Sequence, residues 1–152
     1  MVLYFAYGSN LDEAQMAIRC HEPTNKGVAF LDNYRFVFSG VSPLRENMGV
    51  ASIRHAPGQK CAGLLWEITD ADLVALDARE GYPVRYQRKI VSLKNTEGVS
   101  CEAWLYFKED EIPLNPPCDA YYQQVLKAYE THDFELAIVQ SAYQEAMAFI
   151  KN

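Results

Sequence analysis

Two short segments of this chain combine residue types that can do chemistry once a fold aims them. The first is Tyr7-Gly8-Ser9-Asn10-Leu11. It follows an aromatic and aliphatic run and precedes a helical pattern, so it reads as a strand-to-helix turn. Backbone N–H groups at such a turn form an anion pocket, and a glycine lets a ligand meet main chain with no Cβ in the way. Ser and Asn at a helix start serve equally well as ordinary caps, and the pattern alone leaves both readings open. Neither GxxxxGK[ST] nor GxGxxG occurs, which argues against a nucleotide phosphate loop. Ser9 lacks a GxSxG setting and a nearby His, which argues against a nucleophilic serine.

The second segment is Leu76-Asp77-Ala78-Arg79-Glu80-Gly81-Tyr82-Pro83. Thr69 as N-cap, Asp72 three residues later and Gly81 as stop predict a helix over 70–80. Ile68 and Leu73 are placed to staple its start. Glu80 then ends the helix, where the backbone dipole disfavours a carboxylate; burial would push its pKa up in the same direction. Such a carboxyl suits proton transfer at neutral pH. A solvated Glu80 paired with Arg79 or Arg85 is the other reading. His21, His55 and His132 show no ligand spacing, and Cys20, Cys61, Cys101 and Cys118 form no CxxC. No metal site is expected, and four free thiols in a reducing compartment are.

Strands are expected at 2–7, 27–38, 49–54, 60–67, 86–93 and 99–107, with a break or bulge at Asp32-Asn33. His55-Ala56-Pro57-Gly58-Gln59 and Lys94-Asn95-Thr96-Glu97-Gly98 read as hairpin loops. Helices are expected over 11–20, capped by Asn10 with Glu13 as partner, over 70–80, over 119–130 and over 134–151. In the last, Phe134, Ile138, Ala142 and Ala146 share a face. The order is not the strict alternation of a parallel α/β sheet. It fits a single α+β domain over residues 1–152, with a mostly antiparallel, curved or closed sheet.

The chain is 49% hydrophobic and 22% charged, which excludes disorder. Fourteen basic against twenty acidic residues give a net charge of −6 with no basic stripe. That speaks against nucleic acid or an anionic membrane as partner. No apolar run approaches the roughly 18 residues of a membrane span. Met1–Tyr7 has no basic n-region and reads as a strand rather than an export signal. A cytoplasmic location is expected.

Tyr4-Phe5-Ala6-Tyr7-Gly8-Ser9-Asn10-Leu11 resembles the N-terminal motif of the gamma-glutamylcyclotransferase-like family. Leu76-Asp77-x-x-Glu80-Gly81, followed by Tyr86-x-Arg88, resembles that family's catalytic-glutamate segment. Gly49–Ile53 and Gly63–Ile68 are similar to its middle strands. The resemblance covers residues 2–107 and rests on both motifs occurring in this order. It implies a compact six- to seven-stranded barrel-like sheet flanked by helices. It also implies cleavage of a small-molecule γ-glutamyl amide to 5-oxoproline and a free amine, with no cofactor. By family role Glu80 is general base and acid, and the Tyr7, Gly8, Ser9, Asn10, Leu11 loop binds the α-carboxylate and γ-carbonyl.

A substrate-contacting tyrosine of the family aligns with Tyr122, with Tyr121 beside it. Where close members carry Gly-Leu-Pro, this chain has Tyr129-Glu130-Thr131-His132-Asp133-Phe134. A homodimer is a family-level expectation. The rival from another class is a small-molecule-binding or regulatory protein on the same pocket; Glu80 argues against it, since a pure binder has no need of a carboxyl at a helix end. Glutathione-specific members differ at the N-terminal loop, lacking the equivalent of Asn10.

Overall fold

The computed structural model describes residues 1–152. Its strands are β1 (Val2–Ala6), β2 (Thr24–Ser42), β3 (Met48–Ile68), β4 (Gln87–Asn95) and β5 (Ser100–Phe107). They close a barrel in the order β1-β3-β2-β4-β5. The ladders are antiparallel except at the closure, where Tyr4 of β1 lies parallel beside Trp104 of β5. Four helices complete the fold: α1 (Glu13–Arg19), α2 (Asp70–Glu80), α3 (Asp119–Thr131) and α4 (Leu136–Lys151). None is long and apolar enough to cross a membrane. All four cysteines are free.

Five strands stand where six to seven were expected, because the hairpin at 55–59 does not form. β3 runs on for 21 residues beside the 19 of β2. Asp32 pairs with Lys60 and Tyr34 with His55, so Asn33 alone faces Ala56-Pro57-Gly58-Gln59. Asn33 and Gly58 both have positive φ, and the Gly58 N–H donates to Asn33 Oδ1 at 3.1 Å. The turn residues on the two strands therefore meet in one bulge that bends a long ribbon. The second hairpin does form, with Asn95 Oδ1 accepting from the N–H groups of Glu97 and Val99.

The helix starts divide in the same way. α2 has its capping box: Asp72 N–H donates to Thr69 Oγ1 at 3.0 Å and Thr69 N–H to Asp72 Oδ2 at 3.3 Å. Burial alone would raise the Asp72 carboxyl, but N–H bonds from His21 and Thr69 outweigh it and hold the group below its ordinary value. Asn10, by contrast, is not a cap. Ser9–Leu11 make one 3-10 turn, and Asp12 caps α1 through the N–H of Ala14. In α4 the buried face is Val139, Ala142 and Ala146; Ile138 lies at its exposed edge and Phe134 precedes the helix.

Phe36 and Phe38 of β2 meet Tyr129 and Tyr121 of α3 edge to face, with ring centroids 5.9 and 6.4 Å apart. That packing fixes the rotation of α3 about its axis. It decides which of two adjacent tyrosines turns toward the barrel mouth.

Candidate functional site

β1 runs directly into the turn. The Leu11 and Asp12 N–H groups close it on the carbonyls of Gly8 and Ser9, each at 3.0 Å. Those two donors are used within the turn; the N–H groups of Gly8, Ser9 and Asn10 precede it and have no acceptor inside it. A Cβ built on Gly8 would lie 2.8 Å from the Ala51 Cβ of β3. The glycine is thus required by the strand beneath the turn, which holds the turn close against it.

Asn10 is buried, and every polar atom of its side chain is engaged. Oδ1 accepts from Gln15 Nε2 and Arg19 Nη1, and Nδ2 donates to the Tyr4 hydroxyl, all at 2.9 Å. Arg19 can only donate, which fixes the amide's orientation. The Asn10 carbonyl accepts from Trp66 Nε1 at 3.1 Å. Leu11 is fully buried in the core, and its carbonyl accepts from His132 Nε2 at 2.8 Å. Asn10 and Leu11 therefore pin the turn, and Gly8, Ser9 and Asn10 border the cavity beside it.

Glu80 reaches that cavity from the last residue of α2. Gly81, at φ 75°, ends the helix by donating its N–H to the Asp77 carbonyl. The Glu80 side chain is 18% exposed; its one ion pair is with Arg19 at 3.9 Å, and it accepts no protein hydrogen bond. Burial raises its pKa above the ordinary carboxylate value, and the charges of Arg19, Lys108, Arg45 and Arg79 oppose the rise in that order.

Glu80 borders two adjoining spaces. The inner one, of about 40 Å³, is walled by Tyr4, Tyr7, Tyr86, Tyr106 and Tyr121 together with Gly8, Ser9, Asn10 and Ala51. The outer one, of about 350 Å³, opens to the surface and shares Ser9, Glu80, Tyr86 and Tyr121 with it. The phenols are held by one another and by main chain. Tyr7 and Tyr86 donate to the carbonyls of Tyr106 and Ala51, and Tyr106 to Asp77 Oδ1 at 2.7 Å.

The Tyr121 hydroxyl accepts the Ala51 N–H at 3.0 Å and the Tyr4 hydroxyl accepts from Asn10. Each of these two keeps its own proton for another acceptor. Burial pushes Tyr121 up to about 12 and raises Tyr4, Tyr7, Tyr86 and Tyr106 above the ordinary phenol value as well. They are donors here, not bases.

Tyr122, expected from the resemblance to contact substrate, lies elsewhere than Tyr121. Its ring stacks on Tyr143 of α4 at 4.5 Å and meets Phe38, outside both spaces. Tyr121, one residue earlier, lines both. Tyr4 and Tyr86, quoted in the sequence only as parts of the two motifs, line the site, and so do Arg19, Arg45 and Lys108, which the sequence did not single out. One signal existed for Lys108: it lies two residues after Tyr106, on the same side of an extended strand.

Comparison with known proteins agrees with both motifs. The family profile described as gamma-glutamyl cyclotransferase, AIG2-like, matches residues 4–124. The gamma-glutamylcyclotransferase of Homo sapiens is 27% identical, over 87% of this chain and 80% of its own length. That of Mus musculus is 26% identical, over 88% and 81%. A solved structure of a gamma-glutamyl cyclotransferase superposes with a TM-score of 0.83 at 24% identity, covering 93% of this chain and 85% of that one; it shows that the barrel is the same fold. With the profile spanning most of its length, including the turn at residues 7–11 and Glu80, this chain belongs to the gamma-glutamyl cyclotransferase, AIG2-like family.

Proposed function

We propose that this protein is a gamma-glutamylcyclotransferase that converts a small γ-glutamyl amide into 5-oxoproline and a free amine, with Glu80 carrying the proton. One observation supports this most. Glu80 is a carboxyl with no protein hydrogen bond and a raised pKa, bordering the same small cavity as Gly8, Ser9 and Asn10.

The substrate's α-ammonium cannot attack while protonated. Glu80 takes one of its protons, and the freed amine adds to the γ-carbonyl, closing a five-membered ring. The N–H groups at Gly8, Ser9 and Asn10 face the oxyanion that forms. Glu80 passes that proton to the departing nitrogen, the carbon–nitrogen bond breaks, and the carboxylate then takes the second proton from the ring nitrogen and yields it to the released amine. Nucleophile and electrophile belong to one molecule, so holding it folded supplies much of the rate. The protonated phenols of Tyr4 and Tyr121 add donors and exclude water. Ser9 Oγ accepts from Gln15 Nε2 at 2.9 Å and touches no base, so it is not the nucleophile.

In this reading the whole function lies in one domain over residues 1–152, acting in the cytoplasm. The test is 5-oxoproline release from γ-Glu-Ala, γ-Glu-ε-Lys and glutathione. Release from at least one is expected. Folded protein that releases none overturns the reading in favour of a binding protein on the same fold.

The charges around Glu80 set the pH dependence. Glu80 must be ionised to accept a proton, so kcat/KM rises as pH climbs through its pKa. Arg19 is the strongest opponent of the burial effect. Arg19→Gln removes that charge, so the acidic limb of the profile moves to higher pH. Arg19→Lys keeps the charge and stays nearer the wild-type limb. Coincident limbs for Gln and wild type would show that Glu80 does not set the profile.

A further inference from the structure

The outer chamber carries more positive charge than Glu80 alone can balance. It is lined by Arg19, Arg45, Arg79, Arg85 and Lys108, five of the chain's fourteen basic residues, against the single carboxylate of Glu80. This concentration occurs in a protein whose net charge is −6. Only Arg19 has a carboxylate within ion-pair reach.

Two of the others are held in place by uncharged groups. Lys108 is 5% exposed, donates to the Arg85 carbonyl at 2.9 Å and sits 4.4 Å above the Tyr86 ring. Arg45 lies 5.0 Å above the Tyr121 ring and donates to Gln15 Oε1. Arg79 and Arg85 are exposed at the rim. A buried ammonium with no carboxylate within ion-pair reach costs stability, and like charges brought together repel. The arrangement gains when anions enter.

Glu80 borders both chambers, so a bond cleaved beside it leaves one fragment in each. The inner chamber has room for only a few waters and so takes the reacting part of the glutamyl group. The outer one takes the amine to be released. A γ-glutamyl head carries one carboxylate and one ammonium, so it neutralises none of the excess.

Resting on the cyclotransferase reading, we propose that the outer chamber is a subsite for a leaving amine bearing two carboxylates. The preferred substrate is then the γ-glutamyl amide of an acidic amino acid or acidic peptide. Arg45, Arg79, Arg85 and Lys108 receive the anionic end.

γ-Glu-Glu and γ-Glu-Gln differ by one carboxylate at nearly equal size, and their kcat/KM ratio tests the idea. At low ionic strength γ-Glu-Glu should be favoured on the order of tenfold, the effect of one added charge near several cations in a partly solvated chamber. The ratio should shrink in about 1 M salt, where screening acts over roughly 3 Å. It should fall toward unity in the Arg79→Gln/Arg85→Gln double variant, whose changed side chains are exposed.

A wild-type ratio within about twofold, or one insensitive to salt and to the double variant, overturns the subsite while leaving the cyclotransferase intact. If neither compound yields 5-oxoproline, the activity reading has failed. Calorimetric binding of the same two compounds then decides the subsite: equal affinities overturn it, and tighter γ-Glu-Glu upholds it.

Discussion

Glu80→Gln should lower kcat for 5-oxoproline release by about 10²–10⁴-fold, the range of a positioned acid–base group, while substrate still binds. Glutamine keeps the size of the side chain but cannot take a proton from the ammonium or return one to the leaving nitrogen. KM should change little, because the turn at residues 7–11 is also pinned without Glu80 or Arg19, by Asn10 on the Tyr4 hydroxyl and by Trp66 and His132. Two opposing effects act on stability: relief of a carboxylate held out of water, and loss of the counter-charge that Arg19 has at 3.9 Å. The melting temperature should therefore stay within a few degrees.

The sign can be checked against pH. Burial raises the folded-state pKa of Glu80, so its ionised form weakens the fold as pH rises through that pKa. The variant should compare best with wild type at neutral pH and worst in acid. Glu67→Gln, on the strand leading to α2, is the control for a carboxylate outside both chambers. Near wild-type turnover by a folded Glu80→Gln protein would remove Glu80 from the chemistry.

What could be read from the sequence follows the range of the interactions involved. α2 and the placement of Glu80 were legible because Thr69, Asp72 and Gly81 act within a few residues of one another. The bulge at Asn33 was legible for the same reason, but its consequence for β3 was not. Pro57-Gly58 favours a turn locally, and only pairing with β2 decides that the chain continues forward.

The choice between Tyr121 and Tyr122 depends on how α3 is rotated. Phe36 and Phe38 of β2 and Tyr143 of α4 set that rotation, and all three come from other elements. The cationic chamber draws on α1, the turn after β2, the end of α2 and the residue after β5, with no shared local signal. The segment that departs from the family pattern at residues 129–134 has a visible task here. Tyr129 and Phe134 pack edge to face at 5.4 Å, and His132 is left to hold the Leu11 carbonyl.

Gly8→Ala should cost on the order of 10²-fold in kcat/KM, the scale of a displacement of about 1 Å at a reacting centre, and Ala51→Gly should restore most of it. A Cβ at residue 8 would sit 2.8 Å from the Ala51 Cβ, closer than real Cβ contacts come. Neither atom can swing away, since each is fixed to main chain. The next neighbour, the Tyr121 hydroxyl at 3.4 Å, is an ordinary contact. The turn must therefore lift from β3.

That lift moves the Gly8, Ser9 and Asn10 N–H groups relative to Glu80, which α2 holds separately. It also disturbs Ala51, whose N–H and carbonyl hold Tyr121 and Tyr86. Removing the Ala51 Cβ opens the space again, at about 0.5–1 kcal/mol of stability for a glycine within a strand. The pair is read as a double-mutant cycle. Gly8→Ala should lose activity with the protein still folded, and the double variant should return to within a few fold of Ala51→Gly alone. If the two losses simply add, the glycine is not there to seat the turn on β3. If Gly8→Ala is fully active, the position of the turn does not govern the reaction, and the oxyanion role of its N–H groups falls with it.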